Sequence, residues 1–297
     1  MNLNALRFRA YFAAKELGIP VILRRAPAIA RKINRLGSLV LPRAPVWVRV
    51  RSGLSQGMWM RLHLPNEARL WRGQHESAVQ RAIPAAVRMG DVVYDVGAHA
   101  GSIALGLTRA LGPAGRVVAF EADPGNVKSL RENVSRNQLM ANLQVVHAAV
   151  WSEGGGDLAF RRGGASRSHG GVETASQHPV LGSGGIISVP AITLDEFVAK
   201  GGPMPRLVKV DVEGGEYEVL TGGKTLFRNH RPLLAVEVHH QDAAEQIRGW
   251  LIKYDYEGRW LVPTEQFPCC LFAWPKGYDG VDWMQRSAIL LCGDGRT

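Results

Sequence analysis

Cysteine is scarce in this chain. Cys269, Cys270 and Cys292 are the only three in 297 residues. An adjacent pair and one distant residue match neither a zinc spacing nor a small disulfide framework, which points to a reducing, cytoplasmic setting. Long apolar runs are missing too. None approaches the ~18 residues of a membrane-spanning helix. No apolar stretch follows the first charges, so the N-terminus does not read as a secretory signal, although its arginine-rich, acid-poor start has the composition of a transit peptide. Acidic residues are rare early on. Residues 1–90 carry 16 Lys+Arg against 3 Asp+Glu, and the remainder carries 20 against 23. The net charge of +10 therefore belongs to the N-terminal third. Three readings fit it: an arginine-decorated helix face, a peripheral contact with anionic membrane, or contact with nucleic acid. The chemistry-bearing part lacks basic–aromatic interleaving, which counts against nucleic acid.

With 46% hydrophobic residues and no long low-complexity tract, the chain can bury one large core with an appendage, or two modest ones. Residues 1–40 read as one or two amphipathic helices. Ala5, Phe8 and Phe12 share one face, Ile29, Ile33 and Leu36 another, and Pro20, Pro27 and Pro42 punctuate them. Residues 46–63 read as a hairpin around a Gly/Ser turn. From Asp91 onward, apolar runs at 92–96, 117–120, 143–150, 207–210 and 233–238 alternate with helices starting near Ser102, Pro124, Leu194, Glu216 and Asp242. Strands that are apolar throughout and separated by helices predict a parallel sheet covered on both faces. Closing antiparallel strands are expected at 256–262 and 271–274, with 288–292. One stretch, 154–185, breaks the rhythm. It is rich in Gly, Ser and His, contains Arg161, Arg162, Arg167, His169 and His178, and reads as a mobile insertion over the carboxyl edge of the sheet.

Four motifs carry chemistry. The first is Asp95-Val96-Gly97-Ala98-His99-Ala100-Gly101, a strand end, a glycine turn and a helix start. Such a turn aims backbone N–H groups at a ligand. The middle glycine of the dinucleotide pattern is absent, and Asp95 puts an anion at the mouth of the turn, so a diphosphate is disfavoured. A cationic nucleoside, S-adenosylmethionine, satisfies both facts. The second motif is Val117-Val118-Ala119-Phe120-Glu121, whose acid is suited to both ribose hydroxyls. The third, Lys209-Val210-Asp211-Val212-Glu213-Gly214, ends a strand with two carboxylates. They suit positioning an acceptor hydroxyl, taking its proton or holding a divalent cation, or else Asp211 merely caps the next helix. The fourth, Glu237-Val238-His239-His240, brings histidines to the same edge, of which at most one faces the acceptor.

Together these motifs resemble the FkbM-type family of S-adenosylmethionine-dependent methyltransferases. Phe120-Glu121-Ala122-Asp123-Pro124, His147-Ala148-Ala149-Val150, Thr193-Leu194-Asp195-Glu196-Phe197, Glu216-Tyr217-Glu218-Val219-Leu220 and Arg231-Pro232 extend the resemblance over about residues 70–262. Ala122 stands where the family has proline, and 154–185 is longer and richer in glycine. The resemblance implies an α/β, Rossmann-like, seven-stranded class I methyltransferase sheet with helices on both faces. It also implies O-methylation of a hydroxyl on a sugar, glycolipid or polyketide-like product. The expected organisation is a basic N-terminal extension of helices and hairpin over residues 1–66, then a methyltransferase domain over 67–297 with an insertion at 154–185. Asp95, Gly97, Ala98 and Gly101 are expected to hold the methionine end of the cofactor. Glu121 is expected to hold the ribose and Ala149 to pack near adenine. Asp211, Glu213 and His239 are the candidate bases, with Asp211 first by position, and no metal is assigned. A nicotinamide-dependent oxidoreductase and a methyltransferase acting on nucleic acid are the rival readings. The first lacks its middle glycine, and the second lacks its Asn/Asp-Pro-Pro-Tyr/Phe motif.

Overall fold

The computed structural model describes residues 44–64, 66–163, 170–172, 184–261 and 267–279. The helices expected in residues 1–40, the strand expected at 288–292, Cys292, Arg167, His169 and His178 lie outside them. The chain starts with a hairpin of β1 (Val46–Arg49) and β2 (Trp59–Leu62), then α1 (Ala68–Arg72) and α2 (Ser77–Ala86). Next come β3 (Val92–Val96), α3 (Ser102–Leu111), β4 (Arg116–Glu121), α4 (Pro124–Arg136) and β5 (Leu143–His147). The insertion region supplies β6 (Ala149–Val150), β7 (Asp157–Arg161), β8 (Gly171–Val172) and β9 (Ile186–Ile192). The last part runs α5 (Leu194–Ala199), β10 (Leu207–Val210), α6 (Glu216–Thr221), α7 (Lys224–Asn229), β11 (Leu233–Val238), α8 (Gln241–Lys253), β12 (Tyr256–Trp260) and β13 (Cys269–Pro275).

Seven strands form the main sheet in the order β12-β13-β11-β10-β3-β4-β5. The five from β11 to β5 are parallel, and β13 and β12 close the sheet antiparallel. This is the Rossmann-like α/β class expected. Side chains alternate between two cores, as the two-residue strand period requires. Val93, Val117, Ala119, Leu207 and Leu233 pack on one face with α2, α3 and the hairpin. Tyr94, Val118, Phe120, Val208 and Leu234 pack on the other with α5 to α8. Each fully buried Leu or Phe contributes about 1.5–3 kcal/mol. The helix signals work as physics predicts. Asp123 accepts from the N–H groups of Gly125 (2.6 Å) and Asn126 (3.1 Å), and Pro124 opens the first turn of α4. Ala244, Ile247 and Leu251 are buried on one stripe of α8.

The hairpin is bound to the body of the protein through α4. Asn137 accepts from Trp59 N–H (2.9 Å) and donates to its carbonyl (2.7 Å), while Asn133 accepts from Arg61 N–H (2.7 Å). These side chains satisfy the free edge of β2 as a neighbouring strand would.

One expectation needs correcting. The apolar run at 143–150 is not one strand. Ala148 N–H donates to the Glu121 carbonyl (3.1 Å), the chain turns there, and β6 leaves the main sheet to pair with β9. The 154–185 insertion, expected to be mobile, contributes strands as well. Its described residues enter a second sheet of order β6-β9-β7-β8, because β7 and β9 offer apolar side chains, Phe160 and Val189, that bury each other.

Candidate active site

In an open parallel sheet, ligands bind where the strand order reverses, at the carboxyl ends. Here the reversal lies between β3 and β10, and a cleft of about 730 Å³, open mouth included, sits there. The β3–α3 turn must cross the end of β10 to form it. Gly97 makes that crossing at φ +81°, and a Cβ there would lie 1.7 Å from the Asp211 carbonyl oxygen. No other residue fits both the conformation and the approach.

Of the expected cofactor residues, Gly97, Glu121 and Ala149 line the cleft. Glu121 ends β4. Its carboxylate accepts from His99 N–H (2.7 Å) and Asp123 N–H (2.8 Å), which holds it rigid and leaves lone pairs for a ligand. Burial pushes its pKa up to about 7, against the opposing pull of those two N–H groups. Asp95, Ala98 and Gly101 do not line the cleft. Asp95, expected at the mouth of the turn, is fully buried and faces Lys209, with Oδ1 3.4 Å from Nζ. The register explains this: Asp95 pairs with Lys209 across the β3–β10 ladder, on the opposite face from Tyr94 and Val96. Ala98 N–H donates to the Phe120 carbonyl and shapes the turn. Gly101 makes room for Leu130, which a Cβ would meet at 2.4 Å.

The acceptor side is built by Asp211 and Glu213, both in the cleft wall. Glu213 stands at φ +55°, a left-handed conformation that is costly for a side-chain-bearing residue. Its carboxylate lies 3.3 Å from His239 Nε2, and Asp211 Oδ1 lies 3.7 Å from the same nitrogen. His239 Nδ1 meets the buried Glu216 at 2.6 Å. Burial alone would lower the His239 pKa, but the Glu216 hydrogen bond and the charges of Glu216, Asp211 and Glu213 outweigh it and raise it to about 10. That shift favours the imidazolium, a form that holds Asp211 and Glu213 together and is poorly suited to take a further proton. Burial, reinforced by Asp211 and Glu216 against the pull of His239, lifts Glu213 to about 7.

Sequence reasoning missed a second group of residues. His75 lines the cleft, with Nε2 2.9 Å from Glu76 Oε1, and Glu76 Oε2 lies 3.2 Å from Lys209 Nζ. Lys209 also reaches Asp211 Oδ2 at 3.4 Å. Glu76 is held near pKa 2, since Lys209 and His75 outweigh its burial. His75 and Glu76 come from the entry to α2, twenty residues ahead of the glycine turn. Their one sequence signal was an acid just before a helical pattern, which is common. His75, Glu76 and Asp211, and likewise Asp211, Glu213 and His239, have ligand atoms within 4.8 Å of one another. That spacing would also serve a metal ion. Lys209 and the His239 imidazolium are protein cations already set among these carboxylates.

The insertion region covers the cleft. Phe160, Gly170 and Val172 complete its lining, and Arg162 Nε holds Asp123 Oδ2 at 2.7 Å beside Glu121. Among the described residues, the ionisable groups lining the cleft are Glu121, Asp211, Glu213, His75 and His99, with no Lys or Arg. Carboxylates lining the cleft disfavour a diphosphate and suit a positively charged sulfonium nucleoside.

The sequence model of the methyltransferase FkbM domain matches residues 95–257, more than half of the chain. The chain belongs to the FkbM methyltransferase family. It is an S-adenosylmethionine-dependent methyltransferase, and the donor set of the cleft fits that cofactor. The nicotinamide oxidoreductase reading falls away with the family assignment. Among curated proteins, the FkbM chain is similar to the hexuronic acid methyltransferase AglP of Haloferax volcanii, 27% identical over 224 residues, covering 71% of this chain and 83% of that one. Among solved structures it is similar to an FkbM methyltransferase from Methylobacillus flagellatus KT, at TM-score 0.46 and 17% identity over 63% of this chain. The matched part is 44% of that protein, so this chain spans less than half of its length. An S-adenosylmethionine-dependent O-methyltransferase from Thermotoga maritima aligns at TM-score 0.42 and 13% identity, over 68% of this chain and 65% of that one. No described helix of the FkbM chain is long and apolar enough to cross a membrane.

Proposed function

We propose that this enzyme methylates a hydroxyl oxygen on a sugar, glycolipid or polyketide-like product. One observation carries the reading. Asp211 and Glu213 line the same cleft as Glu121, so carboxylate oxygens able to accept from a hydroxyl share the pocket with the acid proposed to hold the ribose. The hexuronic acid specificity in the name of the relative from Haloferax volcanii supports a sugar.

S-adenosylmethionine, when bound, supplies a methyl group made electrophilic by its sulfonium, so the protein mainly aligns and shields. Glu121 would hold the ribose hydroxyls and Ala149 would pack against the base. Gly97 would keep the turn low enough for close approach. Asp211 and Glu213 would accept hydrogen bonds from the acceptor hydroxyl and fix its direction of attack. The His239 imidazolium would keep these two carboxylates together at one point of the cleft. Phe160, Val172 and Trp151 would exclude water.

Location in the cytoplasm and a peripheral contact with anionic membrane belong to the same proposal, since Arg49 and Arg51 are exposed on the hairpin. The test is transfer of a labelled methyl group to a panel of neutral glycosides, hexuronides, glycolipids and macrolide-type alcohols, with the product bond assigned by NMR. An O-methyl product is expected. A methyl found on nitrogen or carbon, or label retained only by nucleic acid, would overturn the reading.

A further inference from the structure

We propose that His75 is the catalytic base of this enzyme and Glu76 its positioning residue, both supplied by the chain ahead of the family-matched region. The inference rests on the hydroxyl-acceptor reading and names the group that deprotonates the hydroxyl.

The three bases expected from the sequence are each compromised by their neighbours. His239 sits among the carboxylates of Glu216, Asp211 and Glu213, which favour its charged form. Asp211 is engaged by Lys209 on one oxygen and faces His239 with the other. Glu213 is paired with His239 at 3.3 Å. An anion in an ion pair gives up stabilisation when it takes a proton.

His75 is paired as well, but with one carboxylate where His239 meets three. It lines the cleft, and its side chain is 29% exposed, the most open of the histidine–carboxylate pairs at this site. Among the described residues its one ion pair uses Nε2, at 2.9 Å from Glu76 Oε1. Glu76 is an obligate anion: it is buried, and Lys209 Nζ fixes its other oxygen at 3.2 Å. An anion at that distance selects the tautomer with hydrogen on Nε2 and leaves the Nδ1 lone pair free. Glu76 takes a left-handed backbone (φ +46°) to reach between His75 and Lys209, a strain that the surrounding contacts maintain. One ring nitrogen of His75 lies within 4.8 Å of an Asp211 oxygen, which places the imidazole and the Asp211 carboxylate at the same point of the cleft wall.

The step balances as follows. The acceptor oxygen forms its bond to the methyl carbon while its proton passes to His75 Nδ1. The electron pair of the broken carbon–sulfur bond stays on sulfur, giving the neutral thioether. The imidazolium so formed keeps its Nε2 hydrogen bond to Glu76, now as a full ion pair. Proton return to water restores the neutral ring. The charged groups facing His75 are Glu76 from its own segment, Lys209 and Asp211 from the β10 side, and Glu213 beyond them. Burial opposes protonation of the ring, and Glu76 and Asp211 favour it, with a net rise above the ordinary imidazole value.

The test compares wild type with His75→Gln, Glu76→Gln and Glu213→Gln in the full chain. Turnover of a hydroxyl acceptor from the panel is followed across pH 5.5–9, and S-adenosylhomocysteine binding is followed by calorimetry. His75→Gln is expected to lower kcat by about 10²–10⁴-fold, to abolish the acidic limb of the kcat/KM profile, and to leave S-adenosylhomocysteine affinity within twofold. Added imidazole should restore part of the turnover to His75→Ala. Glu76→Gln should retain the limb but move it to lower pH, as loss of the anion predicts. If His75→Gln keeps the acidic limb while Glu213→Gln loses it, Glu213 is the base and the assignment to His75 is wrong. Wild-type transfer to a hydroxyl, together with unchanged kcat in His75→Gln, refutes the base while sparing the hydroxyl reading. A wild-type enzyme that methylates no hydroxyl on the panel refutes both.

Discussion

Lys209 Nζ lies 3.2 Å from Glu76 Oε2, tying the middle of the sheet to the residue that opens α2. The same ammonium meets Asp95 and Asp211, each at 3.4 Å, and is 2% exposed. Three carboxylates from three separate segments therefore share one buried cation. Replacing Lys209 with Met should destabilise the fold by roughly 3–5 kcal/mol, because the carboxylates left behind are uncompensated. Urea denaturation followed by circular dichroism measures this. A loss below about 1 kcal/mol would mean that the network relaxes into water.

Cofactor affinity should depend on the ionisation of Glu121. If its carboxylate accepts from the ribose hydroxyls, the charged form binds and the protonated form does not. With the pKa pushed up to about 7 by burial, affinity for S-adenosylhomocysteine should hold above pH 8 and fall by up to tenfold per unit below pH 7. Glu121→Ala should weaken binding by about 1–3 kcal/mol and flatten this dependence. Calorimetry at pH 6, 7 and 8 decides it; the assignment fails if the two proteins show parallel pH curves.

His239 should leave its mark on stability at alkaline pH. Its folded pKa of about 10 exceeds the ordinary 6.5, because Glu216, Asp211 and Glu213 outweigh the opposing effect of burial. A base with a raised folded pKa stabilises fully below 6.5 and loses that contribution as pH rises through 10. Wild type should therefore lose Tm between pH 7 and pH 10 more steeply than His239→Gln. Equal slopes in thermal melts would show that the imidazole is neutral in the folded protein.

Methyl transfer should survive metal removal. Lys209 and the His239 imidazolium already balance the carboxylates whose spacing would otherwise suit a divalent ion. Activity after dialysis against EDTA is expected to stay within twofold of the untreated enzyme. Loss of activity on dialysis, with recovery on adding Mg²⁺ or Mn²⁺, would reassign Asp211, Glu213 and His239 as ligands.

The legibility of the site differed residue by residue. Gly97 and Glu121 were readable because turn and strand-end chemistry is local: a left-handed turn needs glycine, and an acid ending a strand at this spacing has few other uses. Asp95 faces Lys209 for a physical reason. The letters place it at the strand end, but only the parallel register with β10 brings Lys209 beside it and turns it away from the cleft. His239 was readable as a site residue, but its charge was not, since that depends on Glu216, Asp211 and Glu213 meeting it from other segments. His75 and Glu76 carried almost no signal, because their chemistry exists only once Lys209 stands opposite. The strands inside the insertion were not legible because they are short and β9, their partner, pairs with β6 at long range.

The sequence by itself determined the alternation of strands and helices, the parallel sheet, the glycine turn and the family, because apolar periodicity, helix caps and turn residues act over a few neighbours. Tertiary structure alone decided which carboxylates share Lys209, which histidine is already charged, and which residues wall the cleft. Those are questions of distance and burial between segments far apart in the chain, and electrostatic energy follows separation in space, not in sequence.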